Sequence, residues 1–123
     1  DARQGVTEVV RGDDLLDSAA RQTLLYRDLG LGEPPAYTHL PLVRGADGRR
    51  LAKRHGDTRI DHYRALGVTP ERVLALLARW CGVDAGDSVR AADLIGAVRL
   101  DTIPRTDRIF GPEDDAWLTE RTG

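Results

Sequence analysis

The stretch Tyr37-Thr38-His39-Leu40-Pro41-Leu42-Val43-Arg44-Gly45-Ala46-Asp47-Gly48-Arg49-Arg50-Leu51-Ala52-Lys53-Arg54-His55-Gly56 decides how the chain is read. Its opening, residues 37–43, is an apolar, strand-like run. Pro41 has no N–H to give to a ladder, so this strand is expected at an edge or to be irregular. A glycine-bearing turn, residues 44–48, then delivers Arg49, Arg50, Lys53, Arg54 and His55 into one short loop. Ammonium and guanidinium groups on such a loop can follow negative charge along a polyphosphate. A run of Arg and Lys is, by composition, more often a solvated surface, so the phosphate reading depends on what surrounds it.

Upstream, Gly5-Val6-Thr7-Glu8-Val9-Val10-Arg11-Gly12 reads as a short buried strand ending in a glycine turn. Asp13 and Asp14 offer N-cap side chains. Residues 15–29 then place Leu15, Leu16, Ala19, Thr23, Tyr26 and Leu29 on one side at helical spacing, with Gly30 as the stop. Strand, turn and helix make half of a parallel βαβ unit. Arg11-Gly12 falls where the strand ends and the helix begins, a place suited to a carboxylate or phosphate because unpaired N–H groups carry partial positive charge there. On position alone Arg11 reads equally well as a solvated arginine. His39, within an apolar run, reads as a packed or hydrogen-bonded structural residue rather than a catalytic base.

Downstream the pattern turns helical. Residues 59–67 form a short amphipathic helix ended by Gly67. Thr69 and Pro70 are an N-cap and first-turn pair for a helix with Val73, Leu74, Leu77, Trp80 and Cys81 as its apolar stripe. Residues 88–98 predict another helix. A loop and a last short helix beginning near Gly111 complete the chain.

The whole composition bounds these readings. The sequence has 123 residues, 41% of them hydrophobic, enough for one domain with a core. A formal net charge of -2 supplies no basic field for nonspecific nucleic-acid binding, so any RNA contact is local. The single cysteine, Cys81, excludes an internal disulfide and a four-cysteine zinc site, and it fits a reducing cytoplasm. On the apolar stripe, it reads as an inert buried thiol. No apolar run approaches the roughly 20 residues of a membrane helix.

Two segments carry a family resemblance. Arg50-Leu51-Ala52-Lys53-Arg54 resembles the KMSKS signature of class I aminoacyl-tRNA synthetases in the KLSKR form of glutamyl enzymes, with flanks His39-Leu40-Pro41-Leu42-Val43 and His55-Gly56-Asp57 also similar. Val9-Val10-Arg11-Gly12-Asp13-Asp14-Leu15-Leu16 resembles the VVRGxDLL segment of glutamyl and glutamyl-Q synthetases. The resemblance implies ATP, with Mg2+, bound by the loop residues Arg50, Leu51, Ala52, Lys53 and Arg54. It implies that Lys53 is the catalytic cation on the phosphates and that Arg11 binds the glutamate substrate. Arg50 stands where the motif has its first lysine, keeping charge but changing geometry, and Ala52 stands where it has serine, losing a hydroxyl.

The same resemblance implies an α/β fold: the second half of a class I synthetase Rossmann-type catalytic domain over residues 1–56, with the KMSKS-like loop, followed by a mainly helical connective region over residues 57–123. No His-x-Gly-His motif of the first half-domain is present, and no methionine occurs. The chain is therefore expected to be part of a longer, monomeric, cytoplasmic ligase and to be inactive alone. No metal ligands are assigned in it, and any zinc would be held by residues outside it. The short stretch after the loop, with Asp57-Thr58-Arg59 and Leu77-Ala78-Arg79-Trp80-Cys81-Gly82, favours the glutamyl-Q type, which transfers glutamate to queuosine of tRNA(Asp). The alternatives are a glutamyl-tRNA synthetase charging the tRNA 3′ end and a non-catalytic tRNA- or partner-binding module descended from a synthetase.

Overall fold

The structure is a computed structural model that describes residues 1–52, 56 and 58–120. Lys53, Arg54, His55, Asp57 and residues 121–123 lie outside the described residues. The chain divides into two compact units, Asp1–Leu42 and Val43–Gly123.

The first unit completes the βαβ pattern. Strand β1 (Glu8–Gly12) leads through a 3-10 turn (Asp13–Leu15) into helix α1 (Leu16–Asp28), and the chain returns as strand β2 (Ala36–Leu40). The two strands are parallel, with Val9 opposite Tyr37, Arg11 opposite His39 and Gly12 opposite Leu40. Because side chains alternate along a strand, Val9, Arg11, Tyr37 and His39 share one face. The expected capping by Asp13 or Asp14 is not found. Both aspartates are taken up in the 3-10 turn, and α1 starts after Leu15, which makes no side-chain cap bond. Their charge still lies in a first turn, where exposed N–H groups favour it. The predicted stop at Gly30 holds: its φ of 60° lets Leu31 N donate to Tyr26 O at 2.9 Å, closing the helix end over the buried Tyr26.

The run read as one edge or irregular strand over residues 37–43 is instead divided at Pro41-Leu42. Strand β2 ends at Leu40, and the next strand, β3 (Val43–Gly45), belongs to the second unit and a second sheet. There β3 pairs in parallel with strand β4 (Arg108–Phe110), Val43 opposite Arg108 and Gly45 opposite Phe110. Strand β4 has no counterpart in the sequence reading, since three residues are too few to show a period of two.

Between them lie helices α2 (Ile60–Ala65), α3 (Pro70–Trp80) and α4 (Ala91–Leu94), and α5 (Pro112–Thr119) follows β4. Tyr63, Leu76 and Leu118 form the core of this unit, with Val68, Val73, Trp80, Phe110 and Trp117 packed against it. Helix α3 is capped as predicted: Thr69 Oγ1 accepts from Arg72 N at 3.3 Å, with Pro70 in the first turn. Its buried face agrees with the predicted stripe in part: Val73 and Trp80 pack against the core, whereas Leu77 is exposed and Cys81 is a half-buried residue at the helix end. Arg72, Ala75, Leu76 and Ala78 are the buried residues. The Arg72 guanidinium donates from Nε to Trp117 O at 2.9 Å and lies 4.2 Å from the Trp117 ring centre. A buried charge with a carbonyl and a π face to meet can replace a leucine in that position. The helix predicted over residues 88–98 is limited to α4. Gly96, with φ of 83°, lies just beyond it.

Candidate active site

Arg11 stands at the C-terminal end of β1, and four groups of its own unit hold it. Its Nε donates to His39 Nε2 at 3.2 Å, one Nη to Gln22 Oε1 at 2.8 Å and the other to the Leu15 carbonyl at 3.2 Å. The guanidinium also lies 4.8 Å from the centre of the Tyr37 ring, a distance at which a cation is drawn to the π face. The placement follows from the strand pairing. Arg11 and His39 are register partners, Tyr37 is two residues earlier on the same face, and α1 brings Gln22 over from the side. Tyr37 and His39 rings are stacked, 6.5 Å apart at 22°. A guanidinium has five N–H groups. Three are engaged here, and among the described residues one on each Nη has no partner. A half-buried, oriented guanidinium with an N–H free on each terminal nitrogen can receive a carboxylate.

A Cβ placed on Gly12 would lie 2.6 Å from Asp14 Oδ1 and 2.8 Å from Leu42 Cδ2, so the ends of two side chains crowd this position. With a φ of -66°, Gly12 does not serve a left-handed turn.

The second candidate element is the root of the basic loop. Gly45 N donates to Arg49 O at 2.8 Å and Gly48 N to Gly45 O at 2.9 Å, a three-residue hairpin connection closed by Gly48 at φ 75°. Asp47 Oδ1 accepts from Arg49 N at 2.9 Å. Arg50 pairs antiparallel with Arg44, and Leu51 N donates to Val43 O at 2.9 Å. Arg44 is ion-paired with Asp107, next to β4. Arg49 and Arg50 are exposed, whereas Leu51 and Ala52 are half-buried. The hairpin is thereby anchored to the β3–β4 pair, and β4 to the core through Phe110, whose ring meets Trp80 edge-on at 6.3 Å.

Of the predicted site residues, Arg11 belongs to the first unit and Arg50, Leu51 and Ala52 to the second. Lys53 and Arg54 lie outside the described residues. Sequence reasoning missed Gln22 and Tyr37. Their only signal was position: Tyr37 two residues before His39, and Gln22 three and four residues from Ala19 and Tyr26 on α1. On the surface of the second unit the Arg90 guanidinium holds Asp93 below its ordinary value, and Arg99 does the same for Asp101. Among the described residues, no group of three or more His, Cys, Asp or Glu could hold a metal ion, and no helix is long and apolar enough to cross a membrane.

A parallel βαβ unit whose first strand ends in a held arginine, with a second parallel strand pair and helices after it, places the chain in the α/β class of folds. The family described as tRNA synthetases class I (E and Q), catalytic domain, matches residues 1–103, and the chain belongs to that family. It is 50% identical over 105 residues to the glutamyl-Q tRNA(Asp) synthetase of Rhodopirellula baltica, covering 82% of this chain and 32% of that protein. With the glutamyl-Q tRNA(Asp) synthetase of Symbiobacterium thermophilum it shares 53% over 107 residues, 85% of this chain and 32% of the relative. Glutamate–tRNA ligase 1 of Alkalilimnicola ehrlichii is 40% identical over 123 residues, 98% of this chain and 26% of the ligase. Among solved structures, a glutamate tRNA ligase from Elizabethkingia meningosepticum, in complex with its amino acid, aligns with a TM-score of 0.73 at 27% identity. That alignment covers 94% of this chain and 27% of the ligase. The chain thus spans about a third or less of the length of the relatives it matches. The expected α/β synthetase fold and glutamyl-type family are both found.

Proposed function

We propose that the protein activates glutamate with ATP and transfers it to tRNA, with queuosine of tRNA(Asp) as the acceptor. The observation that carries the reading is Arg11, fixed on three sides and left with one N–H on each terminal nitrogen, in a segment that matches the glutamate-binding arginine motif. Arg11 receives a carboxylate of glutamate and orients the amino acid. The α-carboxylate attacks the α-phosphorus of ATP, forming a mixed anhydride, and pyrophosphate leaves with the displaced electron pair. Lys53 is assigned to the developing charge on the phosphates, with Arg50, Leu51, Ala52 and Arg54 as the rest of the ATP-binding loop and Mg2+ as the accompanying ion. A cation already in place costs no reorganisation as charge builds up. Residues 1–56 serve as the catalytic half-domain and residues 57–123 as the connective region, in a monomeric, cytoplasmic enzyme.

The tRNA(Asp) assignment is supported by two relatives at 50% and 53% identity whose names carry it. A second reading, charging of a tRNA 3′ end, has its own support. The ligase match extends over 98% of the chain, whereas the glutamyl-Q matches cover 82% and 85% of it. Glutamate-dependent ATP–pyrophosphate exchange by the full-length protein tests the activation step. Wild type should exchange, and Arg11→Ala should raise the glutamate KM by about tenfold or more, the scale of a hydrogen bond between charged groups. An unchanged KM would remove Arg11 from the site.

A further inference from the structure

We propose that His39 and Gln22 are positioning residues for the substrate-binding arginine: they set the rotation of the Arg11 guanidinium about its own long axis, so that its two unengaged N–H groups face the amino-acid carboxylate. The inference rests on the reading of Arg11 given above. An arginine side chain is rich in rotamers, and an unsupported guanidinium at a strand end would sweep many orientations. Here three acceptors from three elements remove that freedom. His39 Nε2 lies 3.2 Å from Nε, Gln22 Oε1 lies 2.8 Å from one Nη, and the Leu15 carbonyl lies 3.2 Å from the other. Three non-collinear points fix the plane of the group, and the Tyr37 ring at 4.8 Å bounds it on one face.

The chemistry of His39 is specific. To accept at Nε2 the imidazole must be neutral with its proton on Nδ1. Its stacking on Tyr37, 6.5 Å centre to centre, keeps the ring edge turned toward Arg11. Gln22 complements it, because a neutral amide oxygen satisfies an N–H without neutralising the charge that the substrate carboxylate needs. Neither residue has to touch substrate, and their effect passes through Arg11.

The test uses the full-length protein and glutamate-dependent ATP–pyrophosphate exchange. His39→Phe keeps a flat ring beside Tyr37 but removes the acceptor. Gln22→Leu removes the amide with little change of volume on a half-exposed helix face, and Gln22→His keeps a neutral acceptor at similar reach. Each acceptor-deleting variant should raise the glutamate KM by about tenfold while the ATP KM and melting temperature stay near wild type, and Gln22→His, with a neutral acceptor, should avoid most of that loss. Combined with Arg11→Ala, neither variant should add a further rise, since the two act through one group. If both raise the glutamate KM by less than twofold although Arg11→Ala raises it strongly, the positioning role is overturned and the Arg11 reading stands. If Arg11→Ala itself has no effect, it is the underlying reading that fails. Additive losses in the double variants would also overturn the proposal. Should His39→Phe unfold, the comparison of Gln22→Leu with Gln22→His decides the outcome.

Discussion

Arg11 shows how a residue can be legible in type and opaque in setting. Its place at the end of a strand, followed by Gly12, is plain in the sequence, and so is the motif around it. The partners that make it useful come from residues 11 and 28 positions away, Gln22 and His39. No local pattern announces a side chain that meets another only after a strand pair has formed. Preference for a structural His39 proves sound, since it accepts from Arg11 on the shared face. Cys81 is half-buried at the end of α3 although Val73 and Trp80 of the same stripe pack against the core, and Arg72, invisible as a core residue in the sequence, is buried with the Trp117 carbonyl as its partner. At this scale the sharpest prediction concerns Lys53. Lys53→Ala in the full-length protein should lower the exchange rate by about 10²- to 10³-fold, the usual cost of removing one preplaced stabiliser of developing charge. Circular dichroism should show the fold intact, and near-normal exchange would remove Lys53 from its role.

Among the elements, those with a chemical signal at one end or the other are readable. Helix α3 has Thr69 and Pro70 at its start, α1 has Gly30 at its end, and both appear where those residues place them. Elements defined by partners rather than by caps are not. Strand β4 exists because Arg108-Ile109-Phe110 lies beside β3, and α4 is shorter than its apolar content implies, with left-handed Gly96 close behind it. The turn after β1 supplies an element-level prediction. Gly12→Ala must displace the ends of the Asp14 and Leu42 side chains, 2.6 and 2.8 Å from the added Cβ. Both are flexible side-chain ends that can turn away, so the overpacking should cost no more than about 1 kcal/mol, read as a small drop of the denaturation midpoint in urea. A loss of several kcal/mol would show that neither side chain can yield.

The molecule as a whole is uneven in its packing. The core cluster of Tyr63, Leu76 and Leu118 lies entirely in the second unit, whereas the first unit has Tyr26 as its buried hydrophobic residue, and Leu16, Leu24, Leu25 and Leu29 of its helix or helix end are exposed. Local stability follows buried apolar contact. Amide hydrogen exchange on the 123-residue chain should therefore deuterate peptides of α1 well before peptides of α3, and the reverse order would contradict this account of where the stability lies. The sequence could not disclose this imbalance, because leucines and charged residues are interspersed in both helices. What decides burial is the number of elements available to cover each face.

The activity proposed for the full-length protein is placement of glutamate on tRNA, with queuosine of tRNA(Asp) as acceptor. The most direct measurement is incubation of the full-length protein with ATP, labelled glutamate and, separately, queuosine-containing tRNA(Asp) and tRNA(Glu), followed by mapping of the label on each RNA. The expected result is label on the anticodon loop of tRNA(Asp) and none on tRNA(Glu). Label at the 3′ end of tRNA(Glu), with tRNA(Asp) unmodified, would contradict it and establish the second reading in its place.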